Sequence, residues 1–226
     1  MAIVAMRRFW PAVFVVSAAL LVGQHLLVPT GPLGDSTYLA AVWGAAVVAW
    51  IGALRRPRSR TIIPALIAAG LTASAVGDLV WLIYAWNGHE PDASSADAAY
   101  FLAYAILGAA LIMVTVVRTS GVIRIDPDSV IDALTIVVVS VLVFWTISIA
   151  DIVADSTVSV STRVVWAVYP VLDAILLALV VRALINRHAR STIGLSFAVG
   201  LICWTAADTA YMFSASGQVS AVLDSG

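Results

Sequence analysis

Apolar residues run along this chain in long unbroken blocks, with polar residues gathered into short gaps between them. The blocks fall at about 9–28, 38–54, 62–86, 98–117, 130–150, 164–185 and 192–214. Each approaches the roughly 20 residues that a helix needs to cross the hydrocarbon of a bilayer. The runs are long enough for helices rather than barrel strands. The pattern predicts an all-α protein, a polytopic helical membrane bundle of seven spans joined by short connections. Residues 1–226 read as a single transmembrane domain. The first block is too long for a secretory signal and no small-x-small cleavage site follows it, so it reads as an uncleaved span.

Composition agrees. Hydrophobic residues are 62% of the chain, charged residues 11%, and the mean hydropathy is +1.02. A water-soluble domain carries about 25% charged residues. All 12 basic residues are arginine. Without a lysine amine there is no retinal Schiff base, which removes one familiar class of seven-helix protein. The formal net charge of −1 gives no reason to expect nucleic acid as a partner.

Arginine also predicts orientation. With the N-terminus in the cytoplasm, Arg7, Arg8, Arg55, Arg56, Arg58, Arg60, Arg118, Arg124, Arg182, Arg187 and Arg190 all fall inside, and Arg163 alone falls outside. That bias is the positive-inside rule, and it predicts a multi-pass protein of the plasma (inner) membrane with its N-terminus inside. Asp35, Glu90, Asp92, Asp151 and Asp155 are then assigned to outer loops.

The third and seventh blocks resemble each other. "TIIPALIAAGLTASAVGDLVW" (61–81) aligns without a gap on "STIGLSFAVGLICWTAADTAY" (191–211). Ile63, Ala68, Gly70, Leu71 and Asp78 recur as Ile193, Ala198, Gly200, Leu201 and Asp208, and Trp81 becomes Tyr211. Apolar helices resemble one another readily, so the shared aspartate carries the comparison. Asp97 after the first copy is matched by Asp224 after the second. Four spans separate the copies, so the repeat is parallel. The chain stops two residues past Asp224, where an eighth span is expected to begin, and so reads as part of a longer protein.

Ionisable residues within spans are costly and mark sites or interhelical bonds. Gly70, Ser74, Gly77, Asp78 and Trp81 share one helix face. Tyr100 and Tyr104 are one turn apart. Trp166, Tyr169 and Asp173 line a face beside Pro170, which is expected to kink its helix. Asp208 lies on a face with Trp204 and Tyr211. Asp78, Trp81, Tyr100, Tyr104, Tyr169, Asp173, Asp208 and Tyr211 are therefore the candidates for a ligand or proton site, with interhelical bonding as the competing role. If Asp78 and Asp208 converge, they form an outward-facing pocket, acidic and aromatic, suited to cationic or hydrogen-bonding amphiphilic ligands. Two neighbouring carboxyl groups also admit proton sensing. Asp97 and Asp132 stand near helix starts and read as caps. His25, His89 and His188 have no metal spacing, Cys203 is the lone cysteine, and no catalytic or cofactor-binding motif occurs.

Four stretches resemble a known region: "GDLVWLIYAWNGHEPDASSADAAYFLAYAILGAAL", "DALTIVVVSVLVFW", "VYPVLDAILLALVVRALI" and "TAADTAYMF". They look like the N-terminal multi-span membrane region of actinobacterial cyclic-di-GMP signalling proteins. There it precedes cytoplasmic GGDEF and often EAL domains, which make the parent protein a diguanylate cyclase, a phosphodiesterase or both. The resemblance covers roughly residues 61–226. It implies a sensory or anchoring input module. The catalytic domains are absent from this chain, so it implies no catalytic residue here. A small transporter using intramembrane carboxylates and a passive anchor or oligomerisation module are the alternatives. The expected partners are the bilayer and a small extracellular ligand, and the reading admits a homodimer. No cofactor or metal is expected.

Overall fold

The computed structural model describes residues 27, 31–57, 61–89, 91–116, 127–154, 156–157, 159–185, 199–200 and 202–204. All regular structure among them is helical. In order these are α1 (Gly31–Leu54), α2 (Ile62–Trp86), α3 (Ser95–Val116), α4 (Pro127–Phe144), a π-turn (Trp145–Ile149), α5 (Ala150–Ala154) and α6 (Val160–Ile185). Four helices are long and apolar enough to cross a membrane: α1, α2, α3 and α6.

The expectation of seven spans is thus met by four such helices among the described residues. The blocks at 9–28 and 192–214 lie outside those residues, apart from Leu27 and short pieces of 199–204. With them go His25, Asp208, Tyr211 and Asp224 and the comparison of the two repeat copies in space. The block at 130–150 is helical, but its α-helix ends at Phe144 and a π-turn follows. A π-turn marks an inserted residue in the helical ladder.

The chain divides into two compact units, residues 1–103 and 104–226. In the first, α1 and α2 pack along their lengths. Small residues are buried in both helices: Ala46 and Ala53 on α1, and Ala68, Gly70, Ala75 and Gly77 on α2. Several recur seven residues apart, the spacing that keeps one seam facing a neighbour. Small side chains let helix backbones approach where lipid supplies no hydrophobic drive between them. Polar bonds also tie the two helices: among them, the Trp50 indole N–H donates to Thr72 Oγ1 at 3.0 Å.

Helix ends follow local chemistry. α1 starts at Gly31, seven residues before the expected 38. Gly31 has φ +83°, a turn conformation natural to glycine, and Pro32 follows in the first helical turn, where proline is well tolerated. Ser36 and Thr37 look like loop residues in sequence. Here their hydroxyls donate to the carbonyls of Pro32 (2.7 Å) and Leu33 (2.9 Å) within the helix. Asp35 therefore moves from an expected outer loop into α1. α2 closes with a Schellman turn: the Gly88 N–H donates to Ala85 O and the His89 N–H to Tyr84 O, both at 3.0 Å, with Gly88 at φ +71°. α3 opens three residues earlier than expected through a capping box. Ser94 Oγ accepts from the Ala96 N–H (3.1 Å), and Asp97 Oδ2 accepts from the Ser94 N–H (2.6 Å).

In the second unit, Leu107 and Leu111 of α3 meet Leu176, Val180 and Ala183 of α6 in a closed apolar cluster that also takes in Tyr104. α4 packs on α6. It exposes Ile131, Leu134, Val138 and Leu142, a stripe that suits lipid. α6 runs unbroken through Pro170, although proline supplies no N–H for the carbonyl one turn earlier.

Candidate functional site

The eight candidate residues fall into separate groups. Asp78, Trp81 and Tyr100 come together in the first unit. Tyr104, Tyr169 and Asp173 come together in the second. Asp208 and Tyr211 lie outside the described residues, so Asp78 is defined here by other partners.

Asp78 sits in α2 eight residues before its last residue, Trp86. That is about 12 Å from the helix end at 1.5 Å per residue. The side chain is half-buried. Tyr100 of α3 donates its hydroxyl to Asp78 Oδ1 at 2.9 Å. Tyr38 of α1 hydrogen-bonds the same carboxyl group. Three helices thus converge on one acid. Two tyrosine hydroxyls supply part of the hydrogen bonding that a carboxyl group loses on leaving water.

The approach of α3 to α2 depends on Gly77. The Tyr100 ring lies over it so closely that an added Cβ would stand 2.6 Å from Tyr100 Cε1 and 2.8 Å from Cδ1. A glycine one residue before the aspartate therefore admits the ring that satisfies it.

Around Asp78 is a cavity of about 260 Å³ lined by Asp35, Tyr38, Asp78, Trp81, Leu82 and Tyr100. Asp35 and Tyr38 are three apart on α1, and Asp78, Trp81 and Leu82 stand at i, i+3 and i+4 on α2, so each set shares a helix face. The Trp86 indole N–H donates to Asp35 Oδ2 at 2.7 Å and fixes that second carboxyl group. Trp81 keeps 42% of its surface exposed. The site lies toward the N-terminal ends of α1 and α3 and the C-terminal end of α2. That end carries Trp86 and the exposed turn through Asn87, Gly88 and His89, as expected at a membrane interface.

Asp173 has a different setting. It is 2% exposed, and Tyr104, 3% exposed, donates to its Oδ1 at 2.7 Å. The Tyr104 ring packs edge-on against Tyr169 (centroids 6.2 Å apart) and tilted against Trp204 (5.3 Å). This is an acid–tyrosine bond sealed inside the apolar cluster. Trp166, expected on the same face, is half-buried in α6.

Asp97 stands in the first turn of α3 and caps by reaching back to Ser94, as described above. Asp132 lies in the second turn of α4, and its side chain is outside the described residues. Three residues of the cavity went unmarked by sequence reasoning: Asp35, Tyr38 and Leu82. The signal for the first two was present. "GPLGDSTY" contains a helix start at Gly31–Pro32 that would have put Asp35 and Tyr38 one turn apart on one face. Among the described residues, no cluster of three or more His, Cys, Asp or Glu could hold a metal.

Comparison with known protein families, curated proteins and solved structures finds no match to this chain.

Proposed function

We propose that the chain is the membrane input module of a signalling protein, with the Asp78 cavity as its receiving site and cyclic-di-GMP turnover as its output. The observation that supports it best is the cavity itself. One carboxyl group is held by tyrosines from two neighbouring helices, with a second carboxyl group and a tryptophan on the same wall. A ligand entering there touches α1, α2 and α3 together and can shift their packing, which is what an input module must do. The stretches of resemblance named above supply the link to GGDEF-type output domains. In this reading the module has seven spans with its N-terminus inside, and its cavity opens to the outer side.

The first test is the reading frame beyond Gly226. A further span followed by a GGDEF-type domain is expected. A stop codon directly after Gly226 would sink the signalling role. Where the domain is present, Asp78→Asn in the intact protein should change the cyclic-di-GMP level in cells at equal protein abundance.

A transporter is the second reading. It is favoured by the π-turn at Trp145–Ile149, since interrupted helices and intramembrane acids such as the buried Asp173 are common in transporters. Substrate uptake into vesicles that is lost in Asp173→Asn would support it.

A further inference from the structure

The chemistry of the cavity narrows its ligand. Six side chains line it: two are carboxylic, three are aromatic, one is leucine, and none is basic. An anion would meet two acids with no compensating charge. A neutral apolar ligand would leave both acids facing it without solvent, which is costly. A cation is attracted by the carboxyl groups and suits the aromatic lining of Trp81, Tyr38 and Tyr100. Recognition of organic ammonium groups uses this mixture of rings and acids.

Size narrows it further. Sites for drug-sized ligands run from about 300 to 1,000 Å³. At about 260 Å³ this cavity lies below that range. It suits a compact head of a few heavy atoms rather than an amphiphile with a long tail. A bare metal ion fits less well. Hard cations take six or more oxygen ligands at short range, whereas rings and a leucine make up most of this wall. The aromatic share favours a weakly hydrated, methylated or alkylated nitrogen.

We propose that the cavity formed by Asp35, Tyr38, Asp78, Trp81, Leu82 and Tyr100 binds a small organic ammonium ion. The proposal rests on reading this cavity as the receiving site, and it does not depend on any output domain. The ammonium nitrogen lies between Asp78 and Asp35, with Trp81 against its methyl or methylene groups. Trp86, through its bond to Asp35, is a positioning residue.

The test uses the whole 226-residue chain purified in detergent and tetramethylammonium chloride as the probe. Binding is read by saturation transfer from protein to the methyl protons, titrated at constant ionic strength with sodium chloride. Saturable binding in the millimolar range is expected, with competition by methylammonium and none by sodium. Trp81→Leu should weaken it roughly two- to thirtyfold, the range of one cation–π contact. Asp78→Asn should weaken it about tenfold or more through the lost charge. Trp50→Phe, outside the cavity, should leave it unchanged. If Asp78→Asn does not fold, Asp35→Asn together with Trp81→Leu decides the matter, since Trp81 is already substantially exposed. The proposal is overturned by the absence of saturable transfer in the unmodified chain. Competition by sodium, or affinity retained in Trp81→Leu, would equally overturn it by showing a general attraction of cations to acidic surface. Binding is read without an output domain, so this result stands or falls apart from the signalling test.

Discussion

Two aspartates in this protein are each held by a tyrosine of α3, and their surroundings could hardly differ more. Asp78 takes Tyr100 and Tyr38 as partners beside a cavity with a half-exposed tryptophan on its wall. Asp173 takes Tyr104 inside a cluster of leucine, valine and aromatic rings and is 2% exposed. The hydrogen bond is nearly the same in both. What surrounds it decides whether the acid can meet a ligand. Around Asp173 the space is filled, so the bond ties α3 to α6. Around Asp78 there is room beside the acid, so the same kind of bond borders an open cavity.

The contrast can be broken most forcefully at Tyr104. Tyr104→Ala removes a buried ring and a hydroxyl that satisfies Asp173. About 3–5 kcal/mol of stability should be lost, as for other buried aromatic truncations. It would show as a large drop in the thermal midpoint in detergent. Gly77→Ala comes next. The new methyl group would collide with the Tyr100 ring at 2.6 Å and must displace it from Asp78. Overpacking of this kind costs about 1–3 kcal/mol, and the tetramethylammonium signal should fall with it. A wild-type midpoint in Gly77→Ala would mean that Tyr100 does not rest on α2.

The comparison is sharpened by deleting one hydroxyl at each site. Tyr104→Phe leaves a sealed carboxyl group short of a donor, which costs about 1–3 kcal/mol. Tyr100→Phe leaves Tyr38 in place beside a cavity, and interhelical bonds in membranes average about 0.6 kcal/mol. Equal midpoints for the two variants would erase the distinction drawn between the sites. The smallest effect is expected for Trp50→Phe. Thr72 keeps its own bond to Ala68 O, so about 0.6 kcal/mol or less should be lost and ligand binding should not change.

How much of this was legible in the residues varied by level. The block at 62–86 coincides with α2 because an uninterrupted apolar run ends at a clear stop, "WNGH", whose glycine makes the closing turn. The start of α1 was placed too late because hydropathy weighs residues one at a time. Asp35, Ser36 and Thr37 look like a loop on that measure, although two of the three bond back into the helix that carries them. The misplacement hid two residues of the cavity. Asp78, Trp81 and Tyr100 stood out because charged and aromatic residues inside spans are few. Their partition from Tyr104 and Asp173 did not, since all five looked alike as polar positions in apolar helices.

By itself the sequence determined that this is a helical chain built for lipid, where most of its helices run, and which acids lie inside them. Those properties follow from composition and from the cost of burying backbone and charge, which act on each stretch locally. The partner of each acid was decided only by tertiary structure. Whether a tyrosine reaches Asp78 depends on the glycine beneath its ring and on the register of three helices. No single stretch of chain contains that information. The same is true of the cavity, which exists because α1, α2 and α3 leave space beside Asp78 while α3 and α6 leave none beside Asp173.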